Sequence, residues 1–167
     1  STQRSKQANE DGSFDWEMSP VTIAGRGGDV VVKHDEQPFK AKLDKIPGLK
    51  PAFKKDGTVT AGNASGINDA AAFFVLADAA KAAAAGQKPI ARMVSYAVAG
   101  VPNDIMGEGP IPATKLALKK AGLTLDQMDV IESNEAFAAQ ALSVSKVLGL
   151  DPAKTNPNGG AIALGHP

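Results

Sequence analysis

From Ala72 onward the chain alternates short apolar runs with helix-patterned segments, and this alternation limits the fold more than any other feature. Ala72–Ala77 (AFFVLA) is a continuous apolar run short enough for a buried central strand. Asp78 then opens an alanine-rich helix that Gly86 stops, and Ile90–Val101 (IARMVSYAVAGV) supplies a second strand of small and β-branched residues. The next helix, Ala113–Ala121, has Pro112 in its first turn, sets Leu116, Ala117 and Ala121 on one side, and ends at Gly122. Asp129–Ser133 reads as a short strand. Ala136–Leu148 reads as a helix, with Phe137, Ala141, Val144 and Leu148 at helical spacing and Gly149 as its stop. Strands and helices in this order predict an α/β layered fold with a substantially parallel sheet.

Ligands of such sheets gather beyond the carboxyl ends of the strands. Asn134 and Glu135 follow the Asp129–Ser133 strand, and a glycine and proline loop, Met106–Pro112, precedes a helix. The chain closes on Asn156–Pro167 (NPNGGAIALGHP), where His166 stands between a glycine and a proline. That setting suits presentation of an imidazole better than packing of one. Asn134, the Met106 loop and His166 can all lie at one such edge.

Upstream, Ser1–Glu10 reads as a polar amphipathic helix stopped by Asp11 and Gly12. Val21–Ile23 and Val30–Val32 read as two short strands joined by a glycine turn. Six lysines between Lys40 and Lys55 form either a solvated surface excursion or a basic rim for a phosphorylated ligand, and His34 reads as an exposed turn residue. Thr58–Ala71 (TVTAGNASGINDAA) consists mostly of small residues, with Ser65, Asn68 and Asp69 suited to cap a following helix. Such a loop is either an anion cradle at a helix start or a tight crossover between packed elements.

Composition narrows the chemistry. Lysine plus arginine and aspartate plus glutamate balance at 18 each, so no global field draws the chain to nucleic acid or an anionic membrane. No apolar run approaches a bilayer span and no signal-peptide core follows Ser1, so a soluble, cytoplasmic protein is expected, with an organelle such as the mitochondrion or peroxisome left open. Aromatic residues make up only 5%, which leaves a core of alanine, valine, leucine and isoleucine. No cysteine is present, which rules out disulfides, thiolate metal sites and a cysteine nucleophile within the chain; no histidine and carboxylate grouping has metal spacing. The start at Ser1 without an initiator methionine, and the end at Pro167, read as those of a piece of a longer protein.

A polar side chain at a strand end, a histidine on a glycine loop and a small-residue cradle resemble the parts of an acyl-transfer site. That chemistry needs a nucleophile, a base beside it, and donors aimed at the oxygen that becomes negative. His166 can be the base or a donor, and Asn134 a donor, directly or through a water; the plainer alternatives are a satisfied loop histidine and a helix cap. No serine sits in a G-x-S-x-G elbow, Ser65 lying in Asn63-Ala64-Ser65-Gly66, and no G-x-G-x-x-G dinucleotide turn is present.

Four segments in order carry a family resemblance: TAGNASGIND (Thr60–Asp69), MGEGPIPA (Met106–Ala113), ESNEAFAAQ (Glu132–Gln140) and NGGAIALGHP (Asn158–Pro167). Together they resemble the thiolases, the acetyl-CoA C-acyltransferases, and the opening segment through Phe53 is similar to that family's loop domain. The resemblance implies a layered α/β fold of two βαβαβαββ halves, of which this chain holds an incomplete portion. Residues 1–67 would be the C-terminal part of the loop domain, 68–88 the last strand and helix of the N-terminal half, and 89–167 the start of the C-terminal half. It further implies that His166 activates a nucleophilic cysteine and donates to an oxyanion hole, and that Asn134 holds a water there. Ala61 and Ser65 would line a coenzyme A groove, with Met106 and Phe137 near the acyl pocket.

The implied reaction passes an acyl group between coenzyme A thioesters through an acyl-cysteine, by Claisen condensation or by thiolytic cleavage of a 3-ketoacyl-CoA. Coenzyme A thioesters are substrates there, no cofactor is held permanently, no metal is needed, and family members form homodimers or tetramers. Both family cysteines fall outside this chain, and Ala70 stands where the family commonly has glycine. The 167 residues are therefore expected to be inactive alone, with unpaired strand edges that favour aggregation. A non-catalytic coenzyme A-binding or assembly module of the same fold is the competing expectation.

Overall fold

The structure is a computed structural model that describes all residues from Ser1 to Pro167. It divides into two compact units, one of residues 1–68 with 128–167 and one of residues 69–127.

In the first unit, helix α1 (Thr2–Glu10) packs on a short helix α2 (Gln37–Lys40) and on α6 (Ala161–Leu164). Its composition is almost wholly polar, yet Ser5, Ala8 and Asn9 are buried. The burial is tolerable because the polar groups are matched. Ser5 Oγ donates to the Asn158 carbonyl at 3.0 Å, and Asn9 Nδ2 donates to the Ser5 carbonyl at 2.9 Å and to Asp35 Oδ2 at 3.2 Å. Arg4 adds a fork, donating to the carbonyls of Pro152 (2.8 Å), Thr155 (2.5 Å) and Asn156 (3.1 Å). The first helix is thus a brace for the histidine loop, a role its sequence did not announce.

Gly159 explains how the brace closes. It lies at φ +84°, and an added Cβ would collide with Ser5 Oγ and come within 2.8 Å of the Ser1 carbonyl oxygen. Only glycine meets both conditions. Helix α5 (Ala138–Leu148) supplies Val144, 2% exposed, and the turn after it supplies Leu150; these and Ala163 of α6 are the buried apolar residues beside Ala8. Strands β1 (Val21–Ile23) and β2 (Val30–Val32) pair antiparallel with Thr22 opposite Val31, as their spacing predicted, and every residue of the hairpin is exposed. The six lysines between Lys40 and Lys55 are exposed, as is His34.

In the second unit, α3 (Ala79–Ala84) is capped by Asp78, whose Oδ1 accepts from the backbone N–H groups of Ala80 and Lys81 at 3.0 and 3.1 Å. Helix α4 (Pro110–Ala121) begins three residues earlier than expected, because the first turn needs no N–H from Pro110 or Pro112. The Met106–Gly109 loop before it is correspondingly a 3₁₀ turn, Asn103–Glu108. Ile111 is the buried residue of α4, while Leu116 is 38% exposed and does not face a core. Ser95 Oγ donates to the Ala117 carbonyl at 2.9 Å, tying the 93–96 segment to this helix. The glycines read as helix stops, Gly12, Gly86, Gly122 and Gly149, all follow their helices at φ between +67° and +81°.

The expected strands are corrected. Neither Ala72–Ala77 nor Ile90–Val101 is paired into a sheet, and their side chains face solvent, Phe73 at 93% and Ile90 at 105% exposure. An apolar run becomes a strand only beside another one, and this chain offers these two runs no neighbour. Within Asp129–Ser133 a single parallel bridge forms, Ile131 with Thr155. Ile131 N donates to the Lys154 carbonyl at 2.9 Å and Asn156 N to the Ile131 carbonyl at 2.8 Å, after which Asn156 turns to φ +46° and Pro157 has no N–H to give. The helix start expected near Ser65–Asp69 is also absent; Ala64 and Ile67 instead form isolated bridges, so no helix end lies there to hold an anion.

The carboxyl of Glu132, in this same segment, is pushed above the ordinary glutamate value, first by burial and then by the charge of Glu135. A raised folded value means that stability is fullest below the unfolded glutamate range and falls as pH rises through the raised value. Glu132→Gln is therefore expected to raise the melting temperature at pH 7, modestly because solvent screens a largely exposed group, with the gain vanishing below about pH 4. An equal gain at both pH values in thermal melts would contradict this account. For the brace, Arg4→Met keeps the aliphatic stem and loses all three donations. It is expected to destabilise the protein by about 2 kcal/mol, read as a lower urea midpoint.

Candidate active site

A strap of small residues assembles the site. Asn63–Ile67 runs beside the segment that opens α5: Ser65 N donates to the Ala136 carbonyl at 3.0 Å and Ala138 N to the Asn63 carbonyl at 2.8 Å, around an antiparallel bridge between Ala64 and Phe137. On its other side the strap meets the histidine loop. Ile67 bridges His166 in parallel, and His166 N donates to the Gly66 carbonyl at 2.9 Å. Small side chains permit both approaches, since an added Cβ on Gly165, at φ +98°, would collide with the Asn68 carboxamide. Asn63 shapes the start of the strap, accepting from Thr60 N at 2.8 Å through Oδ1 and donating to the Thr58 carbonyl at 2.9 Å through Nδ2.

The consequence is a contact between the two residues that the sequence singles out for chemistry. Asn134 Nδ2 lies 3.3 Å from His166 Nε2, with both residues exposed. A carboxamide nitrogen can only donate, so Nε2 accepts and the ring proton sits on Nδ1. The Nε2 lone pair is then directed at Asn134, and a neutral Nε2 can take a proton from a nucleophile that displaces this donation. Once Nε2 is protonated, the two nitrogens become a pair of donors 3.3 Å apart, close enough to serve one oxygen between them.

Of the other residues singled out, Ser65 is half-buried in the strap and Phe137, 37% exposed, sits where the strap bridges the start of α5. Ala61 is exposed at the turn that begins the strap. Met106 belongs to the other unit, in the 3₁₀ turn Asn103–Glu108, and is 74% exposed. The alternative reading of Asn134 as a helix cap is not realised: α5 starts four residues later, and Phe137 occupies its N-cap without a side-chain bond.

Sequence reasoning missed the supports of the pair. Glu135 Oε2 accepts from Ile162 N at 3.2 Å, in the first turn of α6, and Oε1 accepts from Asn156 Nδ2 at 3.2 Å. The signal was the glycine pair after Asn158, which marks a close approach by something else: an added Cβ on Gly160 would fall 2.8 Å from Glu135 Cδ. No group of three or more histidine, aspartate or glutamate side chains is arranged to hold a metal ion, and no helix is long and apolar enough to cross a membrane.

Comparison with known proteins finds matches along nearly the whole chain. Residues 1–80 match the model of the thiolase N-terminal domain and residues 87–167 that of the thiolase C-terminal domain. The chain is 54% identical over its full length to the β-ketothiolase BktB of Cupriavidus necator, of which it spans 43%. Among solved structures, acetyl-CoA acetyltransferase of Bacillus anthracis superposes with a TM-score of 0.91 at 49% identity, over 99% of this chain and 42% of that one. Human mitochondrial 3-ketoacyl-CoA thiolase in complex with CoA superposes with a TM-score of 0.84 at 45% identity, over 99% of this chain and 41% of that one. The chain therefore spans less than half the length of the relatives it matches. With both domain models matched in order and a full-length superposition on solved thiolases, this chain belongs to the thiolase family and has the α/β fold of that family in part.

Proposed function

We propose that this chain supplies the histidine and asparagine side of a thiolase active site, in a protein that passes acyl groups between coenzyme A thioesters. The observation that carries the proposal is the 3.3 Å contact between Asn134 Nδ2 and His166 Nε2, on a loop whose backbone is hydrogen-bonded to Gly66. The chain has no cysteine, so the thiol has to come from outside these 167 residues. His166 Nε2 takes the thiol proton as the sulfur attacks the thioester carbonyl. The resulting imidazolium and Asn134, directly or through a water, donate to the oxygen that becomes negative, and collapse expels the coenzyme A thiolate, which takes up a proton. In the condensation direction the carbanion of acetyl-CoA then attacks the acyl-cysteine and expels the cysteine thiolate. In the cleavage direction the sulfur attacks instead the 3-keto carbon of a 3-ketoacyl-CoA and expels the acetyl-CoA carbanion, which takes up a proton, and a coenzyme A thiolate then removes the acyl group from the cysteine.

The substrate assignment is supported by the human relative, whose structure is a complex with CoA. Under this reading Ala61 and Ser65 line the coenzyme groove, Met106 and Phe137 lie near the acyl chain, no cofactor is held permanently, and further copies of the protein complete a dimer or tetramer. The domain division carries over as well: residues 1–67 close a loop domain, 68–88 end the N-terminal half, and 89–167 open the C-terminal half. The competing reading is a non-catalytic coenzyme A-binding or assembly module of the same fold, in which no thiol is supplied to His166.

Acylation in the complete protein separates these readings. In the complete protein that carries this chain, His166→Ala is expected to slow formation of the acyl-cysteine by roughly 10²–10⁴-fold and Asn134→Ala by roughly 10²–10³-fold, followed as the burst of coenzyme A release. Acylation at the unsubstituted rate in His166→Ala would refute the assignment, and no acylation even in the unsubstituted protein would favour the module. The 167-residue chain by itself, mixed with acetoacetyl-CoA and CoA, is expected to give no thiolysis above a blank.

A further inference from the structure

We infer that Asn156 is the positioning residue of this site, its side chain holding Asn134 in reach of His166 by completing a strand pairing that the backbone cannot. The inference rests on the proposed roles of Asn134 and His166 for its functional meaning, but its geometry stands apart from them. Asn156 is 6% exposed and holds φ +46°, the left-handed region that asparagine enters more readily than other residues with a side chain.

The pairing begins as a short parallel ladder, with Ile131 N on the Lys154 carbonyl and Asn156 N on the Ile131 carbonyl. The next rung of such a ladder would take Ser133 N to the Asn156 carbonyl, and would return an N–H from residue 158 to the Ser133 carbonyl. The left-handed turn at Asn156 carries the chain away from that register, and the Asn156 carbonyl accepts instead from Arg4 (3.1 Å) and from Gly159 N (2.9 Å). The Asn156 carboxamide supplies both halves of the missing rung. Its Oδ1 accepts from Ser133 N at 2.7 Å and its Nδ2 donates to the Ser133 carbonyl at 2.8 Å. An asparagine side chain has the shape of a peptide group, so it can stand in for one.

The same Nδ2 donates to Glu135 Oε1 at 3.2 Å, and the other Glu135 oxygen accepts from Ile162 N in α6, the turn that leads into Gly165 and His166. Asn134 is therefore held from both sides: at Ser133 by the false rung, at Glu135 by a carboxylate bridged between Asn156 and α6. Gly160 leaves room for the bridge, since an added Cβ would come 2.8 Å from Glu135 Cδ and 3.0 Å from Asn156 Nδ2. A carboxylate and a carboxamide that touch no reacting atom thus set the separation of the two that do.

Two substitutions test this in the complete protein. Asn156→Gly keeps the left-handed backbone and deletes the rung; Asn156→Asp keeps the acceptor, loses both donations and sets a second carboxylate against Glu135. Both are expected to lower kcat by about tenfold to a hundredfold with KM for CoA within about twofold, the signature of misplaced reacting groups rather than lost binding. In a double-mutant cycle with Asn134→Ala, the effects are expected to be non-additive, the second substitution costing little once the first is made. A kcat unchanged in Asn156→Gly, or full additivity with Asn134→Ala, would overturn the inference. Should both Asn156 variants fail to give a cooperative melt, Glu135→Gln, which keeps an acceptor for Ile162 N, is held to the same cycle and the same criteria.

A readout independent of catalysis keeps this apart from the functional proposal. With ¹⁵N-labelled histidine, loss of the Asn134 donation changes the His166 Nε2 resonance, and Asn156→Gly is expected to reproduce the change seen in Asn134→Ala. If the protein proves to have no acyl-transfer activity, that match still supports the positioning role, and an unshifted resonance in Asn156→Gly still overturns it.

Discussion

The fork of hydrogen bonds from Arg4 is the contact on which the rest of the site depends. The 152–160 segment it grips contains two prolines, two glycines and few apolar side chains, so it cannot find its place by burying hydrophobic area. Its position has to be set by groups that recognise backbone. Arg4 takes three of its carbonyls, Ser5 takes a fourth at Asn158, and Gly159 lets the helix carrying both come close enough to reach. A guanidinium is suited to this because its donors are planar and permanently charged, and hydrogen bonds from a charged donor are stronger than neutral ones. What looks from composition like a solvated helix is the fixed reference for the histidine loop.

From that reference the constraint passes through polar contacts rather than a hydrophobic core. The held carbonyl of Asn156 belongs to the residue whose side chain completes the pairing of Ser133; Ser133 precedes Asn134, and Glu135 after it reaches α6. The strap Asn63–Ile67 closes the circuit, bonded to the start of α5 on one side and to His166 on the other. Each link is a peptide group, a carboxamide or the Glu135 carboxylate, whose directional bonds fix distance more tightly than apolar contact does. This suits the proposed mechanism, in which the two nitrogens stay near 3.3 Å while a proton on one of them comes and goes.

The sequence revealed this molecule unevenly, for physical reasons. Helix ends were legible because their determinants are local: Asp78 caps its helix through bonds to the next two or three residues, and Gly122 and Gly149 sit where a left-handed turn is needed. The hairpin was legible for the same reason, its turn lying between its two strands. Strands at Ala72–Ala77 and Ile90–Val101 were over-read, since apolar character records a tendency and pairing requires a neighbour that the pattern does not contain. Asn134 and His166 stood out by residue type and setting, whereas Arg4, Glu135 and Asn156 did not. Their partners are from 21 to 152 residues away along the chain, and nothing in a local window distinguishes an asparagine in a turn from one that replaces a strand rung.

The unpaired apolar segments and the ordered site teach something when set side by side. Both long segments that failed to pair lie in residues 69–127, while every hydrogen bond that orients Asn134 and His166 lies within residues 1–68 and 128–167. A site built on sheet packing would lose its geometry wherever the sheet is open. This one keeps it, because the strap, the brace and the Asn156 rung satisfy their own backbone groups without help from a neighbouring strand. The arrangement also accounts for the residue types used. Glycine at 159, 160 and 165 admits close backbone approach, and Asn156 and Glu135 supply the donors and acceptors that the backbone groups of Ser133 and Ile162 take up.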